Sequence, residues 1–358
     1  MRYTTCLLAA MDLTGYRTLG RSGLIVSPLA LGTMTFGTPA AWGSTAFDAR
    51  AAFDGYIDAG GTVVDTADVY AGGRSETLVG QFVADRGLRD RVVIATKSGF
   101  YNGPKGNPNA GGNGRKHVRA ALEGSLRRLG TDYVDLYWAH VWDTVTPIEE
   151  VLQTFGDLVR EGKIRYWGLS DTPAWVATKA ATLAAAHGVP GPVALQLEYS
   201  LVERSIEREH APAARDGGMA VSPWSPLAGG FLAGKYVREA DPAGAGRLGG
   251  ANPFGASKFT DRNWAVLDAL RGVAGDRPLA AVALAWVLAQ PGVASPVIGA
   301  RTPEQLRSNL SALGITLTPD ELGTLDAASA LVPDFSGGIP PSVIAAAVFG
   351  GAPVEGWR

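Results

Sequence analysis

Short apolar runs alternate along the chain with longer segments whose apolar positions recur at helical spacing. The runs are Pro28–Met34, Thr62–Asp65, Val92–Thr96, Tyr133–Ala139, Tyr166–Leu169, Val193–Leu197, Met219–Val221 and Pro296–Ile298. Several are apolar throughout, as parallel strands covered on both faces must be. Between them, Ala46–Ala59 places Phe47, Ala51, Phe53 and Ile57 along a helix that Gly60-Gly61 stops. Arg115–Leu129 aligns Val118, Leu122, Leu126 and Leu129 on one face and ends at Gly130. Pro147–Glu161 carries Ile148, Val151, Leu152, Phe155 and Val159, and Pro173–His187 opens on an Asp171-Thr172-Pro173 cap. Pro278–Gln290 and Pro303–Leu313 follow the same logic.

Strands that alternate with helices over the length of the chain predict an α/β protein, a (β/α)8 TIM barrel. An open doubly wound sheet is the alternative. Strand count, spacing and an even composition favour the barrel. Tyr16–Ser27 reads as a hairpin turning at Gly20-Arg21-Ser22-Gly23 and expected to plug the N-terminal face. Phe100–Gly114 and Leu227–Thr260, after the third and seventh strands, are long irregular loops of the kind that bind ligands. The tail after Leu331 shows no strong pattern. The expected organisation is a flexible extension over residues 1–15 and a single domain over 16–358, tail included.

Composition narrows the chemistry. With 32 basic and 34 acidic residues the net charge is −2, which gives no footprint for nucleic acid. The single cysteine, Cys6, excludes an internal disulfide and a thiolate cluster, and fits a reducing compartment. His117, His140, His187 and His210 never stand four residues apart, so a helical zinc site is not expected. The apolar run from Cys6 to Ala10 is too short to span a membrane. Met1–Met11 reads as a disordered extension, Met11 is a candidate start, and the chain is expected in the cytoplasm.

Two glycine-rich stretches mimic nucleotide loops. Gly244–Gly249 spells G-x-G-x-x-G but follows Asp241-Pro242 rather than a strand. Gly229–Lys235 approaches a phosphate loop, yet Tyr236 stands where a Ser or Thr is required to hold Mg²⁺.

In a barrel, the residues at the C-terminal ends of the strands carry the chemistry. The second strand ends at Asp65 and runs on to Tyr70, the third ends at Lys97, and the fourth ends at His140. Each has a bland reading as a cap, a loop aromatic, a surface charge or a core histidine. Together they make a proton-donating site. A nearby ammonium lowers the pKa of a phenol, a carboxylate keeps a buried ammonium charged, and an imidazole N–H can aim a carbonyl. Beside a hydride source, such a site suits carbonyl reduction.

At this point the sequence resembles the aldo-keto reductase superfamily, from about Tyr16 to about Ala328. The motifs are Asp65-Thr66-Ala67 with Tyr70, Thr96-Lys97, His140 after Asp135-Leu136-Tyr137, and Gly162-Lys163-Ile164-Arg165 leading to Gly168-Leu169-Ser170. Ser225-Pro226-Leu227 and Pro296-Val297-Ile298-Gly299 complete them. The run Asp132–Trp138 and the pair Trp142-Asp143 look closest to the bacterial NADP-dependent branch. The resemblance implies Tyr70 as general acid/base, Lys97 and Asp65 as its tuners, and His140 as the group orienting the substrate carbonyl.

It also implies NADP(H) held without a Rossmann domain. Ser170 and Gln196 would bind the nicotinamide amide, Trp224 would stack on its ring, and Thr33 and Met34, with Asp65, would line its ribose side. Ser225, Pro226, Leu227, Gly229, Lys235 and Arg247 would hold the pyrophosphate. Gly299, Arg301, Gln305 and Asn309 would hold the adenosine end, with Arg301 facing the 2′-phosphate. Position 171 is Asp where the family more often has Asn. An ionised acid cannot donate to an amide carbonyl, so Asp171 ranks below Ser170 as a cofactor ligand. Trp42, Tyr101, Trp142 and the tail are rim candidates by position. Partners are expected to be a small carbonyl substrate, with neither nucleic acid nor membrane. Two rival readings are an NADP(H)-binding regulatory module and an unrelated barrel enzyme using Lys97 as a Schiff base, the latter disfavoured by the charge that Asp65 would hold on Lys97.

Overall fold

The computed structural model describes residues 12–40, 42–238, 246–249, 256–332, 339, 341–352 and 354. Cys6 with the rest of Met1–Met11, and the first two residues of the Gly244–Gly249 stretch with its flanks, lie outside them. Eight parallel strands form one curled sheet: β3 Ala30–Gly32, β4 Val63–Asp65, β5 Val93–Ser98, β6 Val134–Ala139, β7 Ile164–Ser170, β8 Ala194–Gln196, β9 Ala220–Val221 and β10 Val297–Gly299. They neighbour one another in chain order, with β10 beside β3. At the other edge, the Val221 N–H donates to Gly292 O at 2.9 Å, Ala294 N–H to Val221 O at 2.9 Å and Val297 N–H to Pro223 O at 2.7 Å. The segment leading into β10 thus bonds to β9 and its continuation. Every expected strand is present, and β5 extends past Thr96 to carry Lys97 itself.

Helices cover the outer face: α1 Ala46–Asp58, α2 Arg74–Asp85, α3 Arg115–Leu129, α4 Ile148–Arg160, α5 Ala174–His187, α6 His210–Asp216, α7 Asp261–Ala274, α8 Leu279–Ala289, α9 Pro303–Leu310 and α10 Pro319–Ser329, while the described side chains of α11 Pro341–Phe349 are mostly exposed. The outward-facing strand residues Leu31, Val64, Ile94, Tyr137, Leu169 and Leu195 pack in one core with Phe53, Val79, Leu122, Phe155 and Val176 of these helices. Strand alternation turns the other set inward, where Ala30, Val63, Val93, Ala95, Leu136, Trp138, Ala194 and Ala220 form a second, smaller core. Trp138 fills much of it. A Cβ at Gly168, its neighbour across the ladder, would lie 2.4 Å from the indole.

Helix α8 is apolar all round because it is buried on every side, from Ala280 to Val287. No single helix among the described residues is long and apolar enough to cross a membrane. Two helix expectations need correction. The expected run Pro303–Leu313 ends at Leu310 and tightens into a 3₁₀ turn. Asp171 does not cap α5: Pro173 holds the N-cap position, and no side chain bonds the first turn. Helix α11 lies in the tail, where no pattern was evident. Of the expected extension, Leu13 is fully buried and its N–H donates to Ala59 O at 2.9 Å, so packing begins before residue 16.

The hairpin is formed by β1 Arg17–Thr18 and β2 Ile25–Val26, antiparallel. Leu19 and Val26 belong to the inner core, beside the first residues of β4, β5, β8 and β9. It therefore stoppers the N-terminal end of the sheet. Its turn is pinned where the Arg21 N–H donates to Gly218 O at 2.8 Å. Gly20 adopts φ +62°, and a Cβ there would lie 2.5 Å from Val193 O. Gly20→Ala adds a backbone clash to left-handed strain, and is expected to cost about 2–4 kcal/mol. Urea unfolding followed by circular dichroism checks this; an unchanged midpoint would contradict the stoppered arrangement.

Candidate active site

Inward alternation puts Val63 and Asp65 of β4 on the same side as Val93, Ala95 and Lys97 of β5. The side chains are apolar at the stoppered end and ionic at the other. Lys97 is fully buried and Asp65 is 3% exposed. The Lys97 ammonium pairs with Asp65 Oδ1, and donates to Thr66 O at 2.9 Å and Tyr70 Oη at 3.2 Å. An ammonium has three hydrogens, and all three have acceptors. Asp65 Oδ2 accepts from Gln196 Nε2 at 2.9 Å, so β8 is tied into the same cluster.

Tyr70 is brought over Lys97 by a sharp turn. Ala71, Gly72 and Gly73, at φ 50°, 65° and 89°, are all left-handed and turn the chain into α2. Ala71 holds this conformation without a glycine's freedom, a local strain of the kind that marks functional turns. Thr33 and Thr66 both bond Ser75 of α2, at 2.8 Å and 3.0 Å. Glu76, fully buried, accepts from Thr96 Oγ1 at 2.6 Å and pairs with Arg128 Nε at 2.6 Å. Asp68, two residues before Tyr70, accepts from Asn102 Nδ2 at 2.6 Å.

Burial disfavours the Lys97 ammonium, yet Asp65 and Tyr70 outweigh it and lift its pKa above the ordinary lysine value. For Tyr70 the balance is the reverse of the sequence expectation. Burial of the phenol raises its pKa, and the downward pull of Lys97 does not overcome that, so Tyr70 stays protonated at neutral pH. Burial, and then the charge of Lys97, push His140 well below its usual range. His140 is a neutral imidazole whose ring lies edge-on to Tyr70 at 5.9 Å and to Phe100 at 4.7 Å. Its Nδ1 and the Ser170 Oγ are buried with no hydrogen-bond partner among the described residues. The cluster can hold a phenolic proton, a neutral N–H and a fixed positive charge around one small volume.

The residues expected to bind a dinucleotide divide into two groups. Ser170, Gln196 and Trp224 end adjacent strands or their continuations beside the cluster. Asp171, at φ 43°, accepts from Trp224 Nε1 at 2.9 Å and so fixes the indole. Lys235 and Arg301 lie near enough for Arg301, after burial, to lower the Lys235 pKa. Two cations near enough to repel one another suit a bound anion. Arg247 reaches Met34 Sδ at 3.6 Å, and its guanidinium lies 5.9 Å from the Trp42 ring.

The other expected ligands also bond or pack within the protein. The Thr33 hydroxyl is buried and bonds Ser75 and Asp65 O. The Gly229 N–H donates to Ser225 Oγ and the Gly230 N–H to Leu227 O, so these left-handed glycines shape the turn. Ser225 is left-handed as well, Pro226 is buried, and Leu227 packs on the core. Gln305 accepts from the Arg301 N–H at 3.0 Å, and Asn309 donates to Gly299 O at 3.1 Å, which together hold the loop carrying Arg301. Of the rim candidates, Trp142 meets the exposed Trp175 edge-on at 5.8 Å, and Tyr101 bonds Pro104 O. Phe100, Asp68 and the Glu76–Arg128 pair went unnoticed in the sequence, although Phe100 stands only three residues past Lys97.

Comparison with known proteins agrees with this geometry. Residues 28–330 match the aldo/keto reductase family. A putative aryl-alcohol dehydrogenase of Saccharomyces cerevisiae is 35% identical over 90% of this chain and 87% of its own. A norsolorinic acid reductase of Emericella nidulans is 38% identical over 84% and 78%. An uncharacterized oxidoreductase of Bacillus subtilis is 39% identical over 87% and 94%.

The buried Asp68 yields a pH test. Burial, reinforced by Glu76, raises its pKa from 3.8 to about 7. Between those values the folded protein keeps a proton that the unfolded chain has lost, so this group's contribution to stability falls as pH rises, by up to about 1.4 kcal/mol per pH unit. Asp68→Asn does not titrate. The stability of the variant relative to wild type should therefore climb from about pH 4 to about pH 7, read by urea unfolding across that range. A constant difference would show that Asp68 is not held protonated.

Proposed function

The chain belongs to the aldo/keto reductase family, an oxidoreductase of carbonyl and alcohol groups, and we propose that it reduces an aldehyde or ketone with NADPH, using Tyr70 as general acid/base. The observation that carries this reading is the contact of Lys97 Nζ with both Asp65 and Tyr70 Oη, with His140 alongside. The packed residues read as one closed (β/α)8 barrel with its active site at the strands' C-terminal ends. A single cysteine and the absence of a long apolar helix among the described residues support a cytoplasmic enzyme.

The dinucleotide fits the groups present. The unpartnered Ser170 Oγ and the Trp224 face lie at the reacting end, and Lys235 and Arg301 form a cationic end. Arg301, a guanidinium, would bind the 2′-phosphate that separates NADPH from NADH. Reduced nicotinamide supplies a hydride to the carbonyl carbon. The protonated Tyr70 donates its phenolic proton to the carbonyl oxygen. Lys97 stabilises the phenolate left behind, and Asp65, held by Gln196, keeps Lys97 charged. Neutral His140 gives an N–H to the same oxygen and sets its direction. Tyr70 is in the acid form that reduction consumes, and the Lys97 ammonium, pulling against burial, lowers the cost of giving that proton up. The similarity to the yeast aryl-alcohol dehydrogenase and the Emericella norsolorinic acid reductase supports an aromatic aldehyde or ketone as substrate.

Tyr70→Phe should lower turnover of an aromatic aldehyde by at least about 10²-fold while NADPH still binds, measured by cofactor absorbance and by fluorescence titration. Full activity in that variant would overturn the mechanism. Arg301→Ala should weaken NADPH by about tenfold or more and leave NADH nearly unchanged in the same titration, since only one cofactor carries the 2′-phosphate. Equal losses would remove Arg301 from that role.

A further inference from the structure

Away from the carbonyl site, helix α3 and the loop before it enclose a cleft of about 350 Å³. Its floor is the stripe of α3 that carries Ala120, Ala121 and Gly124, so small side chains create the hollow. Its wall is formed by Asn102, Asn107 and Asn109 of the loop. Cations stand at both ends. Lys116, beside His117, is at one, and Arg127, beside Arg128, is at the other.

Lys116 and Arg127 are exposed and make no ion pair among the described residues, whereas Arg128 is engaged by Glu76. His117 is 5% exposed, lines the cleft, and its Nε2 is buried without a hydrogen-bond partner. A buried ring nitrogen left unpaired is costly unless something meets it. Lys116 and Arg127 are separated by three turns of helix, about 16 Å along the axis. One small anion cannot meet both. The volume is that of a small-molecule site.

From the cleft between α3 and its preceding loop we infer a second binding site, for an elongated dianion: two phosphate or carboxylate groups joined by a hydroxyl-bearing carbon chain. The anionic ends meet Lys116 and Arg127, His117 Nε2 hydrogen-bonds the end beside Lys116, and the asparagine amides hydrogen-bond the chain between. The site adjoins the carbonyl centre through one contact, since Asn102 also bonds Asp68, two residues from Tyr70. The inference stands whether or not the carbonyl-reductase reading holds.

Isothermal titration of the full chain with fructose 1,6-bisphosphate and with galactarate, a hydroxylated six-carbon dicarboxylate, tests it and separates the two anion chemistries. At least one should bind in the micromolar to millimolar range. Lys116→Ala/Arg127→Ala, both on exposed positions, should weaken that probe tenfold or more, while Arg301→Ala should leave it unchanged. For the bisphosphate, fructose 6-phosphate should bind at least tenfold more weakly. The site is overturned if neither probe binds, if the double variant binds like wild type, or if Arg301→Ala abolishes the binding. Equal affinity for the mono- and bisphosphate would overturn the two-ended recognition.

Discussion

A lysine ammonium buried out of reach of water is the constraint around which this structure is arranged. Desolvation opposes its charge, and a charge left unpaired in such a place is among the costliest single defects a fold can contain. Here each ammonium hydrogen has an acceptor: a carboxylate, a backbone carbonyl and a phenol. Meeting that demand ties together the end of β4, the turn that follows it and the middle of the site. Asp65 is in turn held from β8 by Gln196, so the ion pair is braced from across the sheet.

The turn carrying Tyr70 bears strain at Ala71, and the layer behind it resists the strain. Ser75 and Glu76, the first buried residues of α2, bond Thr33, Thr66, Thr96 and Arg128. These polar groups are buried but paired, the condition under which a buried polar network rigidifies a site instead of weakening it. The phenol thereby keeps its place over the ammonium while its proton stays on at neutral pH.

The strands and the helices between them were legible because short apolar runs alternate with longer apolar-periodic segments, although single positions depart from the pattern, as Phe47 does by facing solvent. Asp65, Lys97 and His140 stood out because they interrupt apolar runs at one end. Helix α2 escaped notice for the opposite reason. Its opening residues Arg74-Ser75-Glu76 look like a solvated loop, and only the packed structure shows Ser75 and Glu76 to be fully buried. The direction of the Tyr70 pKa was equally out of reach. Charge neighbours can be guessed from strand ends, but the depth of burial that outweighs them is a tertiary property. Thr33, Gln305 and Asn309 carry the side chains expected of ligands, and each also bonds within the protein, Thr33 to Ser75 and Asp65 O, Gln305 to the Arg301 N–H and Asn309 to Gly299 O. A residue type announces what it can bond, and the fold decides what it does bond.

The hairpin stopper has a kinetic consequence. With Leu19 and Val26 sealing one end of the sheet, the interior opens in a single direction. Under the proposed reaction, cofactor and substrate would both approach Tyr70 from the C-terminal ends of the strands. In that arrangement whichever of the two lay deeper would arrive first and leave last, an order set by packing before any affinity is tuned.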